Sequence, residues 1–224
     1  MKSPLFKNLM FSIQQNPPPK ADTKKSVTFV NNFTYLQWRI NHVDISHIDK
    51  IYADGILFCL LLKLLTRKSV SRYSFDGTSA ATDVFNFCSI HKKSIYLLGS
   101  TEDCNLQASI NIKTAFPNLI IAGRRNGYLK KSGDAELIIQ HIINCKADIV
   151  IIGMGAGLQE TFQKQLSQHN DWQGGSYTCG GYIHQTASKI NYYPNFINKM
   201  HLRWLYRIID EPKLIKRYLI LYPK

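Results

Sequence analysis

Apolar positions along this chain follow two rhythms that take turns. Short runs rich in β-branched residues begin at Ser26 (SVTFVNN), Ser94 (SIYLL), Asn118 (NLIIAG) and Ile149 (IVII); they are too short for ordinary helices and read as buried strands. Between them lie stretches with apolar residues at helical intervals: FTYLQWRINHVDISHIDK, Glu102 to Ala115, Asp134 to Cys145 and Leu158 to Gln168. Strand followed by helix, repeated, predicts an α/β protein with a Rossmann-like, mainly parallel sheet flanked by helices. In such sheets ligands bind at the carboxyl ends of the strands. Asn31, Asp54, Arg72, Asp76, Gly99, Asn126, Tyr128, Gln159 and Glu160 all fall at that edge.

The stretch ADIVIIGMGAGLQE, from Ala147 to Glu160, is the pivot of this pattern. A buried strand runs into Gly153, Gly155 and Gly157, and a helix follows with Gln159 and Glu160 in its first turn. The spacing is G-x-G-x-G, with Leu158 where a dinucleotide-binding turn has its third glycine, and no Lys-Ser/Thr pair follows as in a P-loop. By itself Glu160 fits a first-turn carboxylate favoured by the helix dipole. Asn31 and Asn32 fit a turn and a helix cap. Asp54 fits the N-cap of a helix starting near Ile56, and a carboxylate on a loop between buried elements also suits a general base. Arg72, Asp76, Thr78 and Ser79 are expected between a short strand and a helix; Asp76 and Thr78 read as ordinary caps, and Arg72 has no evident structural partner. The turn Arg124-Arg125-Asn126-Gly127-Tyr128 suits a base and a phosphate, or simply solvated arginines.

Composition adds a strong bias. Among 224 residues, 28 Lys and Arg against 15 Asp and Glu give a net charge of +13, which favours polyanionic partners such as nucleic acid, anionic lipid or phosphorylated substrates. Five scattered cysteines without a C-x-x-C indicate a reduced, cytoplasmic protein. Neither H-E-x-x-H nor D-x-D occurs, so no metal site is evident. The apolar run Ile56 to Leu65 is about half of the roughly 20 residues that span a bilayer and contains Lys63, and the amino terminus does not read as a signal peptide. Residues 1–25, with Pro17 to Pro19 and the cluster of Lys20, Lys24 and Lys25, are expected to be a flexible tail; 26–190 form the α/β domain. Residues 191–224 form a basic helical appendage in which Trp204, Tyr206, Tyr218 and Tyr222 alternate with Lys and Arg, as in segments that dock on anionic membranes.

Together these segments resemble the WecG/TagA/CpsF family of bacterial glycosyltransferases. ADIVIIGMGAGLQE is similar to its G-x-G-x-P-x-Q-E signature, and FVNNFTYL, YADGI, RYSFDGTSAA, GRRNGYL, TCGGYIHQTA and LRWLYRIIDEPKLIKRYL follow in the family's order from about Val27 to Tyr218. The resemblance implies an inverting, metal-independent transferase without a cofactor. It would move a hexose or N-acetylhexosamine from a UDP-sugar to a lipid-diphosphate-linked saccharide, at the inner face of the cytoplasmic membrane, in surface polysaccharide synthesis.

Carried onto this sequence, the family's roles make Asp54 the general base and set Asn31 and Gln159 on the donor sugar. Arg72 and the Asn126, Gly127 and Tyr128 turn would face the nucleotide or its sugar, with Gly153 and Gly155 bringing backbone near the donor. Asp76 and Gly99 complete that edge, and Glu160 supports its neighbours. Arg207 and Arg217 would meet the charge of the departing diphosphate as the tail closes over the site. Gly157 and Asn32 replace prolines usual in the family, Arg203 replaces an acidic residue, and Lys213 stands for an arginine; donor identity is left open. Three other classes compete: a nucleic-acid-binding module, which the charge favours but which lacks any recognised nucleic-acid motif, a nicotinamide-dependent oxidoreductase, and a non-catalytic scaffold of a polysaccharide assembly complex. A homo-oligomer is compatible with any exposed apolar helix face.

Overall fold

A computed structural model describes residues 4–18, 20–129, 133–189 and Tyr206. Six strands form one parallel sheet: β1 (Ser26–Val30), β2 (Lys50–Ala53), β3 (Ser94–Gly99), β4 (Ile120–Arg125), β5 (Ile149–Gly153) and β6 (Gly175–Thr178), in the spatial order β2-β1-β6-β5-β3-β4. The helices are α1 (Pro4–Ser12), α2 (Asn32–Ile40), α3 (Ile56–Thr66), α4 (Ala80–Ile90), α5 (Glu102–Ala115), α6 (Asp134–Asn144), α7 (Leu158–Gln168) and α8 (Tyr182–Ser188). The expected Rossmann-like α/β architecture is therefore the observed one.

β3 and β5 are buried and almost wholly apolar because helices cover both faces of a parallel sheet. Ile149 and Ile151 of β5 join Ile95 and Leu97 of β3 in one core cluster, while Val150 and Ile152 join Tyr96 and Leu98 in another on the opposite face. A third cluster, with Trp38, Ile51, Phe58 and Leu62, covers the β1–β2 end. Since all strands run in one direction, every strand-to-helix turn emerges at one edge. From β3 the chain steps outward to β4 and returns to β5 on β3's other side, so the topological switch lies between the ends of β3 and β5.

Two segments differ from the sequence expectation. Residues before β1 are not all tail: α1 buries Leu9 in the β1–β2 cluster, and Ile13 bridges to Ile51 of β2. The proline and lysine run masked this, because a single short amphipathic helix can dock ahead of it. The short strand expected before Arg72 is reduced to one bridge between Ala53 and Arg72. The appendage 191–224 lies outside the described residues, apart from Tyr206.

Candidate active site

Two strand ends bring the first group together. β1 ends in Asn31, whose side-chain oxygen accepts the Thr34 N–H at 3.0 Å and so caps α2, as its sequence context predicts. Its other end is not idle: Nδ2 donates to Asp54 Oδ2 at 3.2 Å. Asp54 follows the neighbouring strand β2, and its N–H bonds Val30 O at 2.8 Å, which fixes the two turns side by side. Asp54 does not cap α3. The N-cap there is Gly55, with φ of 91° and no side-chain bond, so the Asp54 carboxylate is left to other partners. Its Oδ1 accepts a short hydrogen bond from the Ser74 hydroxyl. A partly exposed carboxylate at the carboxyl edge, clamped by one donor on each oxygen, has the geometry of an oriented base.

Ser74 was not singled out from the sequence, although it is the serine of the RYSFDGTS segment. That segment is a rigid knot built on Asp76. Asp76 Oδ1 accepts the Thr78 N–H at 2.8 Å, the Thr78 hydroxyl at 2.7 Å and the Ser79 hydroxyl at 3.2 Å, while Oδ2 pairs with Arg72 Nη2 at 2.6 Å. Arg72 thus has a partner after all, in a mostly buried ion pair. Backbone pairing of Tyr73 N–H with Ala53 O at 2.9 Å carries the knot alongside β2 and delivers Ser74 to Asp54.

Glycines line the middle of the edge. A Cβ on Gly99 would stand 2.5 Å from Gly153 O, one on Gly127 would stand 2.9 Å from Gly99 Cα, and one on Gly153 would stand 3.0 Å from Gly180 O. Turns from four strands therefore touch backbone to backbone, which only residues without side chains permit. Gly155, with φ of 91° and open space around it, projects from this floor. Asn105 of α5 holds the floor from below: fully buried, its side-chain amide donates to Leu97 O, Gly99 O and Arg125 O at 3.2, 2.9 and 2.9 Å. It escaped the sequence reading because an Asn in a first helical turn looks like any other polar residue there. At the far side Asn126 Nδ2 bonds Glu102 Oε2 at 3.2 Å, Arg124 pairs with Glu102 Oε1, and Tyr128 is 57% exposed. Arg124 and Asn126 donate to Glu102 and so hold its pKa below the ordinary glutamate value, favouring the carboxylate.

Gln159 and Glu160 sit beneath the edge, between these groups. Glu160 is fully buried: Oε2 accepts the Gly157 N–H at 2.6 Å, and Oε1 accepts from Gln159 Nε2 at 2.8 Å and the Thr28 hydroxyl at 3.3 Å. Thr28 in turn shares a 2.6 Å hydrogen bond with Thr178, so one carboxylate ties α7 to β1 and β6. Burial pushes the Glu160 pKa up despite these donors. Gln159 Oε1 accepts the Gly180 N–H at 3.3 Å. In this arrangement both side chains are committed to protein partners.

Sequence-predicted residues thus form two neighbouring sets: Asn31, Asp54, Arg72 and Asp76 at β1–β2, and Gly99, Asn126, Gly127, Tyr128, Gly153 and Gly155 at β3–β5. β1 and β3 are three strand places apart, about 14 Å at the usual spacing. Arg207 and Arg217 lie outside the described residues. A cavity of about 280 Å³ between Lys24, Lys93, Lys146 and Trp172 opens at the opposite, amino edge and touches none of these groups. Among the described residues no three His, Cys, Asp or Glu are grouped to hold a metal ion, and no helix is long and apolar enough to cross a membrane.

Comparison with known proteins identifies the family. The model of the glycosyl transferase WecG/TagA/CpsF family matches residues 18–224. The chain belongs to this family. It is accordingly a glycosyltransferase. It is 35% identical over 198 residues to a Shigella boydii UDP-Gal:alpha-D-GlcNAc-diphosphoundecaprenol beta-1,4-galactosyltransferase, covering 88% of this chain and 82% of that one. It is also 26% identical over 175 residues to the N-acetylglucosaminyldiphosphoundecaprenol N-acetyl-beta-D-mannosaminyltransferase of Bacillus spizizenii, covering 78% and 66%. The Bacillus subtilis enzyme of the same name is 27% identical over 169 residues, covering 75% and 64%. The chain spans just under two thirds of the two Bacillus relatives, and the family match begins at residue 18, within the segment that leads into β1.

Proposed function

We propose that this WecG/TagA/CpsF member transfers a hexose or N-acetylhexosamine, with inversion and without a metal, from a UDP-sugar to a saccharide linked through a diphosphate to a lipid. The observation that carries this is the Asp54 carboxylate, held on one oxygen by Asn31 and on the other by Ser74 beside a backbone floor open to a nucleotide. The UDP moiety lies over the β3–β5 switch, near Gly99, Gly153, Gly155 and the Asn126–Tyr128 turn. Its sugar extends toward β1, where Asn31 meets it; Gln159 and Glu160 hold the turn beneath.

The acceptor hydroxyl attacks the anomeric carbon while Asp54 takes its proton. The bond from that carbon to the phosphate oxygen breaks, and UDP leaves with the electron pair. A single displacement turns an α-linked donor into a β-linked product, the configuration in the names of the relatives. Charge on the departing diphosphate is met by backbone N–H groups and by arginines, Arg72 from the knot and Arg207 and Arg217 from the appendage. That basic, aromatic appendage docks on the anionic inner face of the cytoplasmic membrane, where a lipid-linked acceptor resides.

The galactosyl relative makes UDP-galactose the first donor to try. UDP release is measured in EDTA from UDP-galactose, UDP-N-acetylglucosamine and UDP-N-acetylmannosamine, with and without α-N-acetylglucosaminyl diphosphate on a short alkyl chain. Acceptor-dependent release from one donor, surviving EDTA, is expected. Release from none of them, or release that EDTA abolishes, refutes the reading.

A further inference from the structure

We infer that α3 is a membrane-inserting element that seats the Asp54 edge on an anionic bilayer. The helix begins two residues after Asp54 and reads ILFCLLLKLLT. Phe58 and Leu62 anchor it in the β1–β2 core with Cys59 packed alongside, and its isoleucine and other leucines face out. Ile56, Leu57, Leu60, Leu61, Leu64 and Leu65 are all exposed, Leu60 at 58% and Leu64 at 77%. Pairs repeating every four residues trace one broad stripe along three turns. Soluble surfaces seldom leave so many large apolar side chains contiguous without a partner. On α1, which packs into the same cluster, Phe11 is 92% exposed.

Charge selects the partner. From Gly55 to Ser71 there are three cations, Lys63, Arg67 and Lys68, and no Asp or Glu; the next cation, Arg72, is already paired with Asp76. If α3 paired with a second copy across a two-fold axis, these cations would meet cations with no carboxylate on the helix to offset them. Against an anionic bilayer the leucines enter the boundary between headgroups and acyl chains while Lys63, Arg67 and Lys68 reach lipid phosphates. At 11 residues α3 is about 16 Å long, far short of a span, so it lies in the interface. The consequence for the site rests on the proposed role of Asp54: a base next to an interfacial helix stands at headgroup depth, where the diphosphate of a lipid-linked acceptor is found.

The full chain is tested for binding to phosphatidylcholine vesicles with and without phosphatidylglycerol, alongside the double variant Leu60→Gln/Leu64→Gln. Both side chains are exposed, so the far-ultraviolet spectrum and melting temperature are expected to hold. Partitioning onto the anionic vesicles is expected to weaken on the order of 10- to 100-fold, the sum of two leucines each half transferred from water. A Leu64→Trp variant is expected to be quenched by brominated acyl chains beyond the parent protein's own tryptophans. Unchanged vesicle binding by the double variant, or an unquenched Trp, overturns the assignment. So does a double variant that changes from dimer to monomer with vesicle binding intact, because the stripe then belongs to a second copy. Neither readout needs turnover: α3-dependent vesicle binding without transfer from any UDP-sugar sinks the proposed reaction and leaves the membrane surface standing.

Discussion

Replacing Asp54 by Asn tests the chemistry with little disturbance to the fold. The side chain keeps its shape, and its two partners adapt. Asn31 cannot turn over, because its oxygen is held by the Thr34 N–H and hydroxyl at 3.0 and 3.2 Å, so it continues to present Nδ2. The new amide meets it with its oxygen and points its NH₂ at Ser74, whose hydroxyl can reverse and accept. Both contacts survive, and the loss of stability stays below about 1 kcal/mol, the scale of one neutral hydrogen bond. For a chain of this size that is a fall in melting temperature of less than about 4 °C. Losing a general base removes about 10²- to 10⁴-fold in rate, or about 3–5 kcal/mol of transition-state stabilisation. Initial rates of UDP release with saturating donor and diphosphate-linked acceptor, run beside a thermal melt, separate the two effects. An Asn variant within a few-fold of the parent enzyme would show that the carboxylate is only a structural link between β1, β2 and the knot.

Further predictions concern the frame of the site. Burial holds the Glu160 pKa above the ordinary value of 4.5, so the folded state retains a proton that the unfolded state has lost; stability is full below that value and falls as pH rises through the raised pKa, and urea titrations of Glu160→Gln are expected to lack this slope. Gly99→Ala sets a Cβ 2.5 Å from Gly153 O where the two strands are paired and cannot part, and is expected to cost about 1–3 kcal/mol beyond Gly155→Ala, whose site is open; equal melting temperatures for the two would contradict the packed floor. Arg207→Ala and Arg217→Ala are each expected to lower kcat by about 10- to 1000-fold with an unchanged melt if they neutralise the leaving diphosphate, and a change confined to acceptor KM would assign them to docking instead.

Much of this protein is written locally. The apolar runs at Ser26, Ser94, Asn118 and Ile149 and the helical stretches between them specify a parallel sheet, because strand and helix periods are properties of neighbouring residues. The glycine turn after β5 and the motifs around Asp54 and Arg72 mark the edge for the same reason, since each is contiguous. Contacts between distant segments are another matter. That Asp54 is gripped by Asn31 and Ser74 rather than capping α3 depends on β1 and β2 lying side by side and on the knot bridging back to Ala53. Only the strand order sets Gly127, Gly99, Gly153 and Gly180 in a row, and only the buried position of α7 and β1 commits Glu160 to Thr28 and Gly157. The exposed stripe of α3 was equally hidden, since a run of leucines reads as core until the fold shows which side faces the sheet. Periodicity tells a residue which element it belongs to; partners and exposure follow from how those elements are arranged.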